Sequence, residues 1–239
     1  MNIDGPPEAG VRGGWIAAVA FVVANLASAA LAGVAYLATG RELNAWVLLA
    51  GFVGLWGVLG SACVLAACRN GRARLGILGL RRLTWRDVGI GSASGLALFG
   101  VAIVVAGQVA SLFDDVEPFD GGGLGLDVHA GWFAAVAVIT VAVIGAPFFE
   151  ELFFRGLVQG VLTRRHSVAT AIVAQGVLFG LVHYQIGMSV TQTTLIIVPL
   201  SVTGMGLGWL RWHYRRLGPS MIAHGVYNAI VMTLIFTVT

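Results

Sequence analysis

Residues 131–162, GWFAAVAVITVAVIGAPFFEELFFRGLVQGVL, form one long apolar segment with Glu150, Glu151 and Arg155 set inside it. About 32 residues of helix measure some 48 Å, well beyond the roughly 30 Å hydrocarbon core of a bilayer. The segment is therefore expected to cross a membrane, and to tilt, kink at Pro147 or break in doing so. A charged group at the centre of a membrane helix costs about 2.5–3.5 kcal/mol on insertion scales, so three of them need a structural reason. Glu151 and Arg155 stand at i and i+4 with the acid on the N-terminal side, the favourable order for a helical ion pair. Glu150 points about 100° away from Glu151 and has no local basic partner. It is the residue left available as a general base.

The rest of the chain extends this pattern. Of 239 residues, 58% are hydrophobic and only 10% charged, against about 25% charged in a soluble domain. Long uncharged runs mark an all-α, polytopic transmembrane bundle. Seven spans are expected: Trp15 to Leu37, Trp46 to Cys68, Val88 to Leu112, Gly131 to Leu162, Ser167 to Tyr184, Thr194 to Leu210 and Pro219 to Thr239. Residues 1–12, polar with Pro6 and Pro7, read as an unstructured tail, and 13–239 as a single transmembrane domain. Ala27-Ser28-Ala29 resembles a signal-peptidase site, but the run around it is too long for a signal peptide and the leading segment carries Asp4 and Glu8. Arginines cluster after spans two, four and six, and acids fill residues 113–130 after span three. By the positive-inside rule the N-terminus is inside and the C-terminus outside. No concentrated basic face with aromatic platforms is present, which argues against a nucleic-acid partner. Cys63 and Cys68 lie on different faces of span two without histidines nearby, and read as buried small residues. Gly91 with Gly95, and Gly204 with Gly208, have the spacing of close helix contacts.

Two histidines join the glutamates inside the apolar runs. His183 ends span five and shares a helix face with Phe179; His224 begins span seven and shares one with Asn228. A glutamate pair, two intramembrane histidines and an asparagine are expected to converge on one polar site. His129, His166 and His213 lie in loops or beside arginines and read as solvated.

Glu150-Glu151-x-x-x-Arg155, Phe179-x-x-x-His183 and His224-x-x-x-Asn228 resemble, in that order, the motifs of the CAAX protease and bacteriocin-processing (Abi-type) family of intramembrane endopeptidases. The resemblance covers roughly residues 75–239, including Leu78-Gly79-Leu80-Arg81-Arg82 ahead of span three. It implies an intramembrane peptide hydrolase of the bacterial cytoplasmic-membrane type, with a peptide or membrane-associated protein as substrate and the lipid bilayer as its surroundings. It implies Glu150 as general base for a water, His183 as the group holding that water, and His224 and Asn228 as donors to the oxyanion. Glu151, Arg155 and Phe179 take structural and orienting roles. No cofactor is expected to be required. If zinc were bound, Glu150, His183 and His224 would be its ligands, although the paired His-Glu-x-x-His spacing is absent.

Depth along the helices leaves one difficulty. Counting from the turn near His166 places Glu150 and His183 at similar depth, but His224 follows the arginines at 211–216 closely and counts nearer the inner face. Two other readings keep the same fold. One is a non-enzymatic self-immunity or scaffold protein, against which the complete motif set argues. The other is a proton-coupled transporter, which would show an internal repeat; none is found.

Overall fold

In the computed structural model, residues 8–69, 72–73, 75–114, 131–185 and 187–238 are described. The acidic stretch is outside them from residue 115 to 130. Seven helices account for most of the chain: α1 Glu8–Ala38, α2 Ala45–Ala67, α3 Trp85–Ala110, α4 Trp132–Leu162, α5 Val168–Leu181, α6 Val190–Tyr214 and α7 Gly218–Val238. A minimal antiparallel pairing of Cys68–Arg69 with Arg72–Ala73 and a short 3-10 turn, Leu75–Leu78, link α2 to α3. The chain is an all-α membrane bundle.

Six of the helices are long and apolar enough to cross a membrane. The fifth expected span is not. α5 has 14 residues, about 21 Å of helix. Its C-terminus explains the early stop. The His183 backbone N–H bonds to Gly180 O, while the His183 ring nitrogen Nδ1 takes Phe179 O at 2.7 Å. The imidazole thus takes the carbonyl that the next helical N–H would have used, a recognised way for a basic side chain to end a helix.

One further expectation changes, and one of the alternatives open for α4 falls away. Helix α1 begins at Glu8, inside the stretch read as an unstructured tail. Pro7 is the last proline before Trp15, and the glycines at 10, 13 and 14 weaken a helix without removing an N–H from it. Helix α4 neither breaks nor ends at Pro147. It runs on through two π-helical stretches, Thr140–Gly145 and Glu151–Val158, with α-helical turns around them. Wide turns of this kind are common at functional sites.

Small residues set the packing. Ala27 and Ser28 lie against Gly54 and Gly51 of α2: a Cβ at Gly54 would come within 2.6 Å of Ala27 O. The expected pairs behave alike, Gly91 and Gly95 seating α7 on α3, and Gly204 meeting Gly176 of α5. Cys63 is buried and Cys68 exposed, and both are free thiols. Leu152, Phe153, Phe154 and Leu157 of α4 join the same core as Ala20 and Ala24 of α1 and Leu59, Ala62 and Cys63 of α2. The first two helices, which carry no motif, thus form a wall behind the motif helix.

The approach to α7 is also buried. Leu217 N–H donates to Gly79 O at 2.9 Å, Arg211 Nη2 to Leu78 O at 3.3 Å, and Arg216 pairs with Asp87 at 2.8 Å. Asp87 doubles as the capping-box acid of α3, bonded to Thr84. These ties bury Leu217, Pro219 and Ser220 at the start of α7. Against the residue count, His224 comes level with Glu151, 3.1 Å from its carboxylate.

Candidate active site

Glu151 is fully buried and held from two sides. Arg155 Nη1 lies 2.8 Å from its Oε1, and His224 Nδ1 lies 3.1 Å from the same atom. Arg155 is in turn anchored by Nη2 donating to Gly204 O at 3.2 Å, and its guanidinium lies 4.2 Å from the centre of the Phe179 ring. The sequence pairing of Glu151 with Arg155 is present, but Glu151 does more than balance a charge. A carboxylate facing Nδ1 fixes the proton there, so His224 presents Nε2 to the other side.

That other side is Glu150. His224 Nε2 is 4.0 Å from Glu150 Oε2, too long for a direct hydrogen bond. Glu150 keeps 16% of its side chain exposed, against 0% for Glu151. Its Oε2 makes no hydrogen bond among the described residues. The step of 100° between adjacent helical positions separates a carboxylate with fixed partners from one without.

Phe179 is the hub. Its ring contacts His183 at 5.0 Å, His224 at 5.5 Å and Phe154 at 5.5 Å between centroids. Both imidazoles therefore sit against one aromatic side chain, and both have Nδ1 committed: His183 to Phe179 O and His224 to Glu151. A carbonyl only accepts, so His183 Nδ1 carries the proton and Nε2 the free lone pair. Asn228 is tied elsewhere. Its Nδ2 donates to Ala142 O at 2.7 Å, two turns before Glu150 on α4. Among the described residues this amide makes no other hydrogen bond. His166 and His213 are exposed and take no part, and His129 lies outside the described residues.

Two residues of this neighbourhood escaped the sequence reading. Gln175 Nε2 donates to Gly204 O at 2.8 Å and Gln159 Nε2 to Gly208 O at 3.0 Å, both buried. The glycines leave helix carbonyls bare, and the amides reach them. Uncharged polar residues in mid-run were the available signal, since interhelical amide bonds are a usual glue in membranes. Among the described residues no three His, Cys, Asp or Glu side chains are grouped as a metal site.

Residues 132–230 match the family model described as Type II CAAX prenyl endopeptidase Rce1-like. Over this segment the chain is similar to that family. No curated protein matches the chain, and no solved structure does. The Rce1-like segment holds all the motif residues, from Glu150 to Asn228, and is narrower than the 75–239 expected from the resemblance. Helices α1, α2 and α3 precede it. The family is one of peptidases, and with six apolar helices of spanning length the protein is an integral membrane protein.

Proposed function

We propose that the protein is an intramembrane endopeptidase that hydrolyses a peptide or membrane-associated protein with a glutamate-activated water. The observation that carries this reading is the pair Glu150 and His224. Two polar atoms 4.0 Å apart are spaced as two partners of one shared oxygen, each at ordinary hydrogen-bond length. Glu150 takes a proton from the water as it attacks the peptide carbonyl, and delivers that proton to the leaving amine. His183 Nε2, with its lone pair free, accepts from the same water and holds it. As the water oxygen bonds the carbonyl carbon, His224 Nε2 passes its hydrogen bond from that oxygen to the oxyanion, which the second N–H of Asn228 also meets. With its Nδ1 proton fixed on Glu151, His224 donates from Nε2 only as an imidazolium, and Glu151 is the anion that balances that charge. Removing one oxyanion donor typically costs about 10²–10³ in turnover.

The first prediction tests the base. Glu150→Gln keeps size and polarity but cannot take the proton. Membranes carrying the wild type and the variant are compared by mass spectrometry of newly formed peptide ends. Cleavage products present only with the wild type, with equal insertion and a monodisperse detergent profile for both proteins, are expected. Products formed equally by both overturn the assignment. The same assay tests a zinc reading, for which the described residues show no grouped ligand set. That reading requires a chelator to stop cleavage, zinc to restore it, and about one zinc per chain by mass spectrometry.

A further inference from the structure

The hydrogen bonds of α4 do not close at Ala142. In an α-helix its carbonyl would receive the N–H of Ala146; in a π-helix, that of residue 147. Ala146 N–H instead donates to Val141 O, one carbonyl further back. Residue 147 is proline and has no N–H. Both donors that face Ala142 O along its own helix are thereby removed. In hydrocarbon there is no water to replace them, and an unsatisfied carbonyl is costly. The donor comes from α7: Asn228 Nδ2 at 2.7 Å. Between the two helices lies Gly225, where a Cβ would stand 3.0 Å from Val143 O. The missing side chain is what lets α7 approach closely enough for the amide to arrive.

We propose that Asn228 is a positioning residue: it closes the carbonyl left open by Pro147 and so holds the wide turn Thr140–Gly145 that sets the direction of the following turn, on which Glu150 stands. One face of α7 then grips α4 at two points, Asn228 on Ala142 and His224 on Glu151. The grip fixes α4 and α7 in the register that puts Glu150 opposite His224. The role comes in addition to any contact of the second Asn228 N–H with substrate, and it rests on the peptidase reading only for the activity measurement.

The test is a rescue. Asn228→Leu, nearly isosteric and unable to donate, is expected to speed amide exchange across residues 140–150 about five- to tenfold in detergent, the loss of about one net hydrogen bond. Pro147→Ala returns an N–H facing Ala142 O. In that background Asn228→Leu is expected to change exchange less than twofold, and to recover part of the kcat that Asn228→Leu loses in the wild type. Unchanged exchange in Asn228→Leu overturns the proposal. So does accelerated exchange that Pro147→Ala leaves unreversed. If Pro147→Ala does not fold, Gly225→Ala replaces it: by pushing α7 away it should reproduce the exchange increase of Asn228→Leu and add nothing when combined with it, and additive increases overturn the proposal. Should the wild type cleave nothing, the peptidase reading fails while exchange still decides this inference.

Discussion

The α1–α2 hairpin and the α5–α6 hairpin are both closed by small residues, yet among the described residues only the second is cross-linked by a polar side chain. In the first, Gly54 and Gly51 let α2 settle on the backbone of Ala27 and the side chain of Ser28. The polar residues there, Asn25 and Ser61, bond back to carbonyls of their own helices, Phe21 O and Gly57 O. In the second, Gly204 meets Gly176 and its bare carbonyl accepts from Gln175 of α5, while Arg155 and Gln159 of α4 tie the same helix at Gly204 O and Gly208 O. Shape fit sets how near two helices lie and tolerates a slide. A hydrogen bond to one chosen carbonyl does not. The hairpin that carries His183 is the one whose register is fixed.

The sharpest way to break this contrast is Arg155→Ala. It removes the anchor on Gly204 and leaves Glu151 as a buried charge with one partner fewer. Breaking a buried pair from one side costs about 3–5 kcal/mol. A fall in membrane yield, detergent melting temperature and cleavage together is expected, and a well-folded, active Arg155→Ala protein would remove the argument. Next in size is Gly54→Ala. The added methyl meets backbone rather than a side chain that can turn aside, so about 1–3 kcal/mol of stability should be lost. Cleavage per folded molecule should be unchanged, because only the wall behind the motif helix is disturbed. Gly33→Ala, where a Cβ meets nothing, is the control and should stay within about 1 kcal/mol of the wild type. The smallest effect belongs to Gln175→Leu, about 0.6–1.7 kcal/mol by the range for interhelical bonds in membranes. Its loss of cleavage should exceed its loss of stability, since register is what it controls. Equal losses would make the two hairpins alike after all.

Much of the site could be read along the chain. The 100° separation of Glu150 from Glu151 already set the two carboxylates in different surroundings, and Arg155 at i+4 named the partner of the second. What the chain order did not show depends on contacts across long sequence distances. His224 comes level with Glu151, with Leu217 bonded to Gly79 and Arg216 paired with Asp87, residues more than a hundred positions away. The path of α4 past Pro147 was open between tilt, kink and break; the wide turn needs Asn228, far along the chain, to be stable. The shortness of α5 was hidden because an apolar run reports burial, while the helix ends where the His183 ring captures a carbonyl.

That short helix has a consequence for the lipid itself. α5 turns an apolar face outward, with Val173, Val177, Leu178 and Leu181 exposed, yet its length falls about a third below that of the hydrocarbon layer. Tyr184 and Gln185, which follow, are exposed and lie outside any helix. Acyl chains solvate such backbone badly, so a bilayer next to α5 is expected to thin, with headgroups dipping toward His183. A polypeptide lying at the membrane surface would there come within reach of His183 without being drawn to mid-depth.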